Sequence, residues 1–282
     1  MQVLRNQVVP GYNNMPILWD LFLPETPANT VLLYSHGFNG FKDWGGMNLI
    51  AEWFCSRGIA FFKYNASHNG TSPEHPEEFV NLQAFSQDNF SIGLYDLSMC
   101  MNLLTQNANH FQGFKHIVLL GHSKGGGLSI LQTAKDARVS ALITWASVHE
   151  CKTPWGRWND EQMQLWKQNG VAYYFNARTA QQMPLNYQLA QDFFDHEEAF
   201  DLQSNISRIQ QPMLLIHGTQ DQAVPITAGR LLRSWNPAAA WMEPETDHVF
   251  GRKHPESNTA LPELCFEVME TMIDFLNRQE LM

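Results

Sequence analysis

The residues that could do chemistry cluster in three short segments. Gly121-His122-Ser123-Lys124-Gly125 follows the apolar run IVLL and precedes a helical pattern, matching G-x-S-x-G. On such a turn a serine is held above the end of its strand in a strained conformation that costs about 1 to 3 kcal/mol, and glycines on either side let strand and helix approach. Serine is a weak nucleophile at neutral pH, so a base must take its proton and a third group must fix the tautomer of that base. His248, in Thr246-Asp247-His248-Val249-Phe250-Gly251, is the candidate base, and Asp221, in Gly218-Thr219-Gln220-Asp221, is the candidate acid. One histidine among 11 means little alone. The argument is the joint order, serine then acid then histidine, each in a loop after a strand. Glu150, following the run that ends at Trp145, and Asp247, beside the base, are the alternative acids.

Attack on an acyl carbon puts negative charge on the former carbonyl oxygen, where each preorganised N–H donor is worth on the order of 3 kcal/mol. One donor is expected from the backbone N–H of Lys124. The other is expected from Phe38, in His36-Gly37-Phe38-Asn39-Gly40, whose glycines allow close approach of main chain. Acting through main chain, Lys124 and Phe38 should tolerate side-chain replacement.

The elements that must position these groups follow from the recurrence of short apolar, β-branched and aromatic runs separated by stretches long enough for helices. Strands are expected at Ile17 to Leu23, Thr30 to Ser35, Ile59 to Tyr64, His116 to Leu120, Ala141 to Trp145, Pro212 to Ile216 and Ala239 to Met242. Several are continuously apolar, as buried parallel strands are. Helices are expected at Met47 to Arg57, Phe90 to Gln106, Lys124 to Ala137, Thr227 to Ser234 and Leu261 to Arg278. The last carries Leu264, Phe266, Val268, Met269, Met272, Ile273 and Leu276 at near-helical spacing and should pack on the sheet. This is an α/β pattern: a mostly parallel central sheet with helices on both faces.

Residues 147–208 break the rhythm. They carry Trp155, Trp158, Trp166, Tyr173, Tyr174, Phe175 and Tyr187 and include VAYYFN and ARTAQQM, a candidate hairpin. They are read as a lid or cap inserted in a core made of residues 1–146 and 209–282.

Composition excludes other classes. With 44% hydrophobic and 16% charged residues the chain can bury a sizeable core. A net charge of −10 without a Lys/Arg cluster excludes nucleic acid as a partner. No run of about 18 apolar residues and no signal-peptide core occur, so no membrane partner and a cytoplasmic location are expected. Cys55, Cys100, Cys151 and Cys265 are widely spaced, without a C-x-x-C pair, and are read as reduced and mostly buried. No metal site is expected, since His196-Glu197-Glu198-Ala199-Phe200 lacks the second histidine of H-E-x-x-H. No cofactor is expected either: there is no G-x-G-x-x-G, and Gly37 to Lys42 misses the P-loop spacing.

His36-Gly37-Phe38, Gly-His-Ser-Lys-Gly-Gly at 121–126, His217-Gly218-Thr219-Gln220-Asp221 with Val224-Pro225, and Asp247-His248 together resemble the α/β-hydrolase superfamily. More narrowly they resemble its small carboxylesterases, including the cinnamoyl and feruloyl esterases and the dienelactone-hydrolase-like group, over about residues 15–278. Dienelactone hydrolases proper use cysteine where this chain has Ser123, so their lactone chemistry does not carry over. The resemblance implies acyl transfer through an acyl-enzyme on Ser123, a small-molecule ester as substrate, and a short insertion covering the pocket. A lid read as uncharged and partly aromatic implies a small or aromatic acyl group. A thioesterase, a peptidase, or a catalytically idle binding protein of the same fold are the alternatives. Oligomeric state is left open.

Overall fold

The computed structural model describes residues 1–105, 113–255 and 260–282. An eight-stranded sheet is built from β1 (Gln2–Pro10), β2 (Pro16–Leu23), β3 (Thr30–Ser35), β4 (Ala60–Asn65), β5 (His116–His122), β6 (Val139–Trp145), β9 (Met213–Ile216) and β10 (Ala240–Met242). Their order is β1-β2-β4-β3-β5-β6-β9-β10. Only β2 runs against the others, pairing antiparallel with β1 and β4. The remaining neighbours are parallel, which gathers the carboxyl ends of β3, β5, β6, β9 and β10 along one rim. In such sheets ligands bind at that rim.

Two apolar layers hold the sheet. In β3, Val31 and Leu33 face a cluster with helices α3 (Phe90–Thr105), α4 (Lys124–Thr133), α7 (Leu202–Ser207) and α8 (Ile226–Trp235). Leu32 and Tyr34 face the other cluster, with α1 (Met47–Cys55) and α9 (Glu263–Arg278). Burial on both faces is why β3, β4 and β5 read as unbroken apolar runs. In α9 the stripe inward is Val268, Met269, Met272, Ile273 and Leu276, joined by Cys265, whereas Phe266 is exposed. The final residue of the helix expected over 90–106, Gln106, lies outside the described residues. All four cysteines are buried.

Several elements had no sequence expectation. β1 is a largely exposed edge strand, broken by a bulge between Leu4 and Gln7, so it lacks an apolar alternation. The single turn α2 (Leu82–Ser86) is capped by the Asn81 side chain. Within residues 147–208 lie α5 (Asp160–Asn169), the antiparallel pair β7 (Val171–Asn176) and β8 (Gln181–Asn186), and α6 (Gln188–Asp195). The hairpin stands where VAYYFN and ARTAQQM suggested it. Trp155, Trp166, Met183, Leu185 and Leu189 form a third cluster with Phe41, Phe79 and Phe85. The α7 helix instead joins the sheet's own core through Leu202 and Ile206.

The turn from β5 to α4 is closely packed. A Cβ on Gly125 would lie 2.2 Å from the Ser35 carbonyl oxygen, and one on Gly121 would lie 2.3 Å from that of Gly125. These obstacles are backbone, which cannot swing aside. Gly125→Ala is therefore expected to destabilise the protein by at least about 1 to 3 kcal/mol. Urea unfolding measures this, and an unchanged midpoint would show that the strand end can yield.

Candidate active site

Ser123 caps α4 with φ +56° and ψ −118°, a left-handed conformation that a non-glycine residue adopts under constraint. Its own N–H donates to the Trp145 carbonyl at 2.9 Å, and its carbonyl accepts from Gly126 at 3.0 Å. The chain is thus tied to β6 on one side and to the first turn of α4 on the other. A Cβ on Gly37 would fall 2.9 Å from that of Ser123, so only glycine lets the loop after β3 lie against this residue. Among the described residues, neither the Phe38 nor the Lys124 main-chain N–H donates a hydrogen bond within the protein.

His248 and Asp221 meet. The Asp221 Oδ2 lies 2.7 Å from His248 Nδ1, while Oδ1 accepts the N–H groups of Ala223 at 2.9 Å and Val224 at 2.8 Å. Burial alone raises the Asp221 carboxyl. Hydrogen bonds from His217 and His248, the charge of His248 and the Val224 N–H outweigh it and hold the group well below the usual carboxylate range. An ionised carboxylate only accepts, so His248 Nδ1 carries a proton toward Asp221. The alternative acids are engaged elsewhere: Asp247 caps its own turn through Val249 and Gly251, and Glu150 pairs with Lys152 at 3.4 Å.

Ser123, His248, Gly37 and Phe38 line one cavity of about 250 Å³, together with Tyr34, Phe41, Trp44, His122, Asn176 and Arg178. The lid was expected to be uncharged there, and Arg178 corrects this. Its Nη2 donates to the Asn39 carbonyl at 3.1 Å, and the Tyr174 hydroxyl donates to the Asn39 side chain. Both come from the β7–β8 hairpin, so the hairpin is fastened to the loop that carries Phe38. The Lys124 and Phe38 side chains, expected to be replaceable, both make tertiary contacts. The Lys124 ammonium is buried against Asp88 and over the Phe90 ring, and Phe38 packs 5.6 Å from both Phe85 and Tyr174. Removing the Lys124 side chain would strand a largely buried carboxylate.

Several supports went unread in the sequence. His122 lies buried behind Ser123, with Nε2 3.0 Å from the His248 carbonyl and its ring 4.7 Å from that of His248. A carbonyl only accepts, so His122 donates through Nε2. Burial, then the charges of His248 and Arg252, push its pKa well below the ordinary value and keep the ring neutral. His36 donates through Nδ1 to Gly37 and accepts from the Ala66 N–H through Nε2, and burial pushes it down to about 4. The loop beyond Phe41 is anchored by Lys42, Asp43, Asp20 and Lys63, a buried and neutral quartet in which Asp20 receives Lys42 at 2.8 Å and Lys63 at 3.1 Å. Charges inside the runs ILWDLFL and AFFKYN were its one signal in the sequence. Among the described residues no group of His, Cys, Asp and Glu could hold a metal ion. No helix among them is long and apolar enough to cross a membrane.

The BD-FAE family model matches residues 79–235, more than half of the chain, including the turn at Ser123 and the loop at Asp221. The chain belongs to the BD-FAE family. Solved structures similar over nearly the whole length place this BD-FAE member in the α/β-hydrolase fold. An esterase domain from Rhodothermus marinus superposes with a TM-score of 0.64 at 17% identity, covering 99% of both chains. Est1E from Butyrivibrio proteoclasticus, solved with ferulic acid bound, has a TM-score of 0.69 at 16% identity, covering 97% of this chain and 98% of its own. A monoacylglycerol lipase from Paleococcus ferrophilus has a TM-score of 0.64 at 16% identity, covering 93% and 99%. No curated protein sequence matches the chain.

The neutral imidazoles of this BD-FAE member set a pH dependence. Both His36 and His122 bind protons less readily in the folded chain than in the unfolded one, so their contribution is present above about pH 6.5. It is lost as pH falls toward their folded pKa values. Urea unfolding at pH 7.5 and 4.5 should show lower stability in acid, with a smaller drop in His122→Gln. An equal drop in both proteins would contradict a neutral His122.

Proposed function

We propose that this chain is a serine carboxylesterase acting on a small or aromatic ester. The 2.7 Å hydrogen bond between His248 and Asp221, beside a cavity that Ser123 also lines, carries the reading. His248 Nε2 takes the proton of Ser123 as its oxygen attacks the ester carbonyl. The N–H groups of Phe38 and Lys124 receive the developing oxyanion. The imidazolium then protonates the departing alcohol, and water, activated by the same nitrogen, releases the acid and restores Ser123.

Asp221 orients His248 and stabilises its charged form without itself becoming protonated. Residues 147–208 act as the lid: their hairpin forms part of the cavity wall through Asn176 and Arg178. The aromatic lining, with Tyr34, Phe38, Phe41 and Trp44, favours a flat acyl group, in keeping with the ferulic acid bound in the Butyrivibrio structure.

A fluorophosphonate probe should label the wild type and not Ser123→Ala. Labelling of the variant, or no labelling of either, would overturn the serine mechanism. Asp221→Asn should stay folded while losing about 10⁴ in kcat, as when a triad acid is neutralised. Near-normal turnover would assign its role to another carboxylate. Across a panel of esters, short aliphatic and aryl substrates should outperform long-chain lipids, and the reverse order would refute the substrate class.

A further inference from the structure

The cavity beside Ser123 has an electrostatic sign opposite to that of the protein. The chain carries a net charge of −10, yet among the described residues the cavity wall holds no Asp or Glu. Its one permanently charged side chain is Arg178. That residue is solvent-exposed as well as lining the cavity, so it stands where the cavity meets water. Stacking over Phe41 and Phe79 at 5.3 and 5.4 Å, with the hydrogen bond from Nη2 to Asn39, fixes its guanidinium. Among the described residues no carboxylate pairs with it and no further bond from its guanidinium is made.

A second donor stands beside it. Asn176 is buried, with 7% of its surface exposed, and its Oδ1 accepts the main-chain N–H of Arg178 at 3.1 Å. That bond fixes which end of the amide is which, and among the described residues the Nδ2 group has no partner. A buried donor left unpaired costs about 1 to 3 kcal/mol, so a group that pairs it is favoured. Both residues belong to the β7–β8 hairpin and its turn, and both line the same cavity as Ser123 and Phe38.

We propose that Arg178 and Asn176 form an anion subsite, so that the preferred substrates of this esterase carry a carboxylate away from the scissile ester. The inference rests on the esterase reading above and names its substrate class. Arg178 supplies a charged, forked donor and Asn176 a neutral one, the combination that grips a carboxylate with direction as well as charge.

The experiment compares two activated esters of equal acyl length, 4-nitrophenyl valerate and the 4-nitrophenyl monoester of glutaric acid, at low ionic strength. The wild type should favour the anionic ester by about tenfold in kcat/KM, mostly through KM. The quantity read in each variant is the ratio between the two esters, which cancels any general loss from the altered hairpin. In Arg178→Met the ratio should fall to about one. Asn176→Asp keeps an oxygen for the Arg178 N–H but replaces the free donor by a negative charge, and should bring the ratio below one. A wild-type ratio near one, or a preference that survives both substitutions, overturns the subsite while the esterase reading stands on turnover of the neutral ester. Turnover of neither ester, with no fluorophosphonate labelling, removes the esterase reading and this inference with it.

Discussion

The fit of a helix start against two strand ends governs the whole site. Helix α4 begins one residue beyond β5, and its first turn rests on the carbonyls of Ser35 and His36 at the end of β3. There is no room for a side chain at 121 or 125, and a Cβ at Gly126 would meet Ser147 at 2.5 Å. Ser123 stands on that turn in a conformation that the surrounding backbone enforces. Gly37 lies against it, so the same contact sets the distance between the hydroxyl-bearing residue and the candidate oxyanion donors.

Around this fixed point the chain arranges histidines that bind main-chain carbonyls. His36 and His122 are neutral, and both use a ring nitrogen to donate to a main-chain carbonyl. His217 does the same to Val224 while standing 3.4 Å from the Asp221 carboxylate. The loops after β3, β9 and β10 are therefore fastened by imidazoles, and Asp221 shares its negative charge between two histidines and two N–H groups. The insertion is drawn in through Asn39, a left-handed residue whose side chain and carbonyl both accept bonds from the hairpin. Movement of the hairpin and geometry of the Phe38 loop are coupled at that residue.

Much of this was legible in the residues. The strand Thr30–Ser35 and the start of α4 at Lys124 were read correctly because continuous burial and a glycine-flanked serine leave few alternatives. The meeting of Asp221 and His248 was read from order and loop position. Other features were hidden for definite reasons. An exposed, bulged edge strand such as β1 has no apolar face to reveal it. The positioning histidines sit beside the motifs but act through partners as much as 126 residues away, and spacing does not encode such pairs. The Lys124 side chain was misjudged because its partner, Asp88, lies on a different segment. The Arg178 contact required knowing where the hairpin folds back.

The central claim is that Ser123 becomes covalently acylated during turnover. Its most direct test is rapid acid quenching of the protein during steady-state hydrolysis of an activated ester, followed by intact-mass measurement and peptide mapping. The account predicts an adduct of the acyl group's mass on the peptide containing Ser123, forming as fast as the alcohol is released. Turnover with the adduct on another residue, or with no adduct under conditions where deacylation is slow, would contradict it.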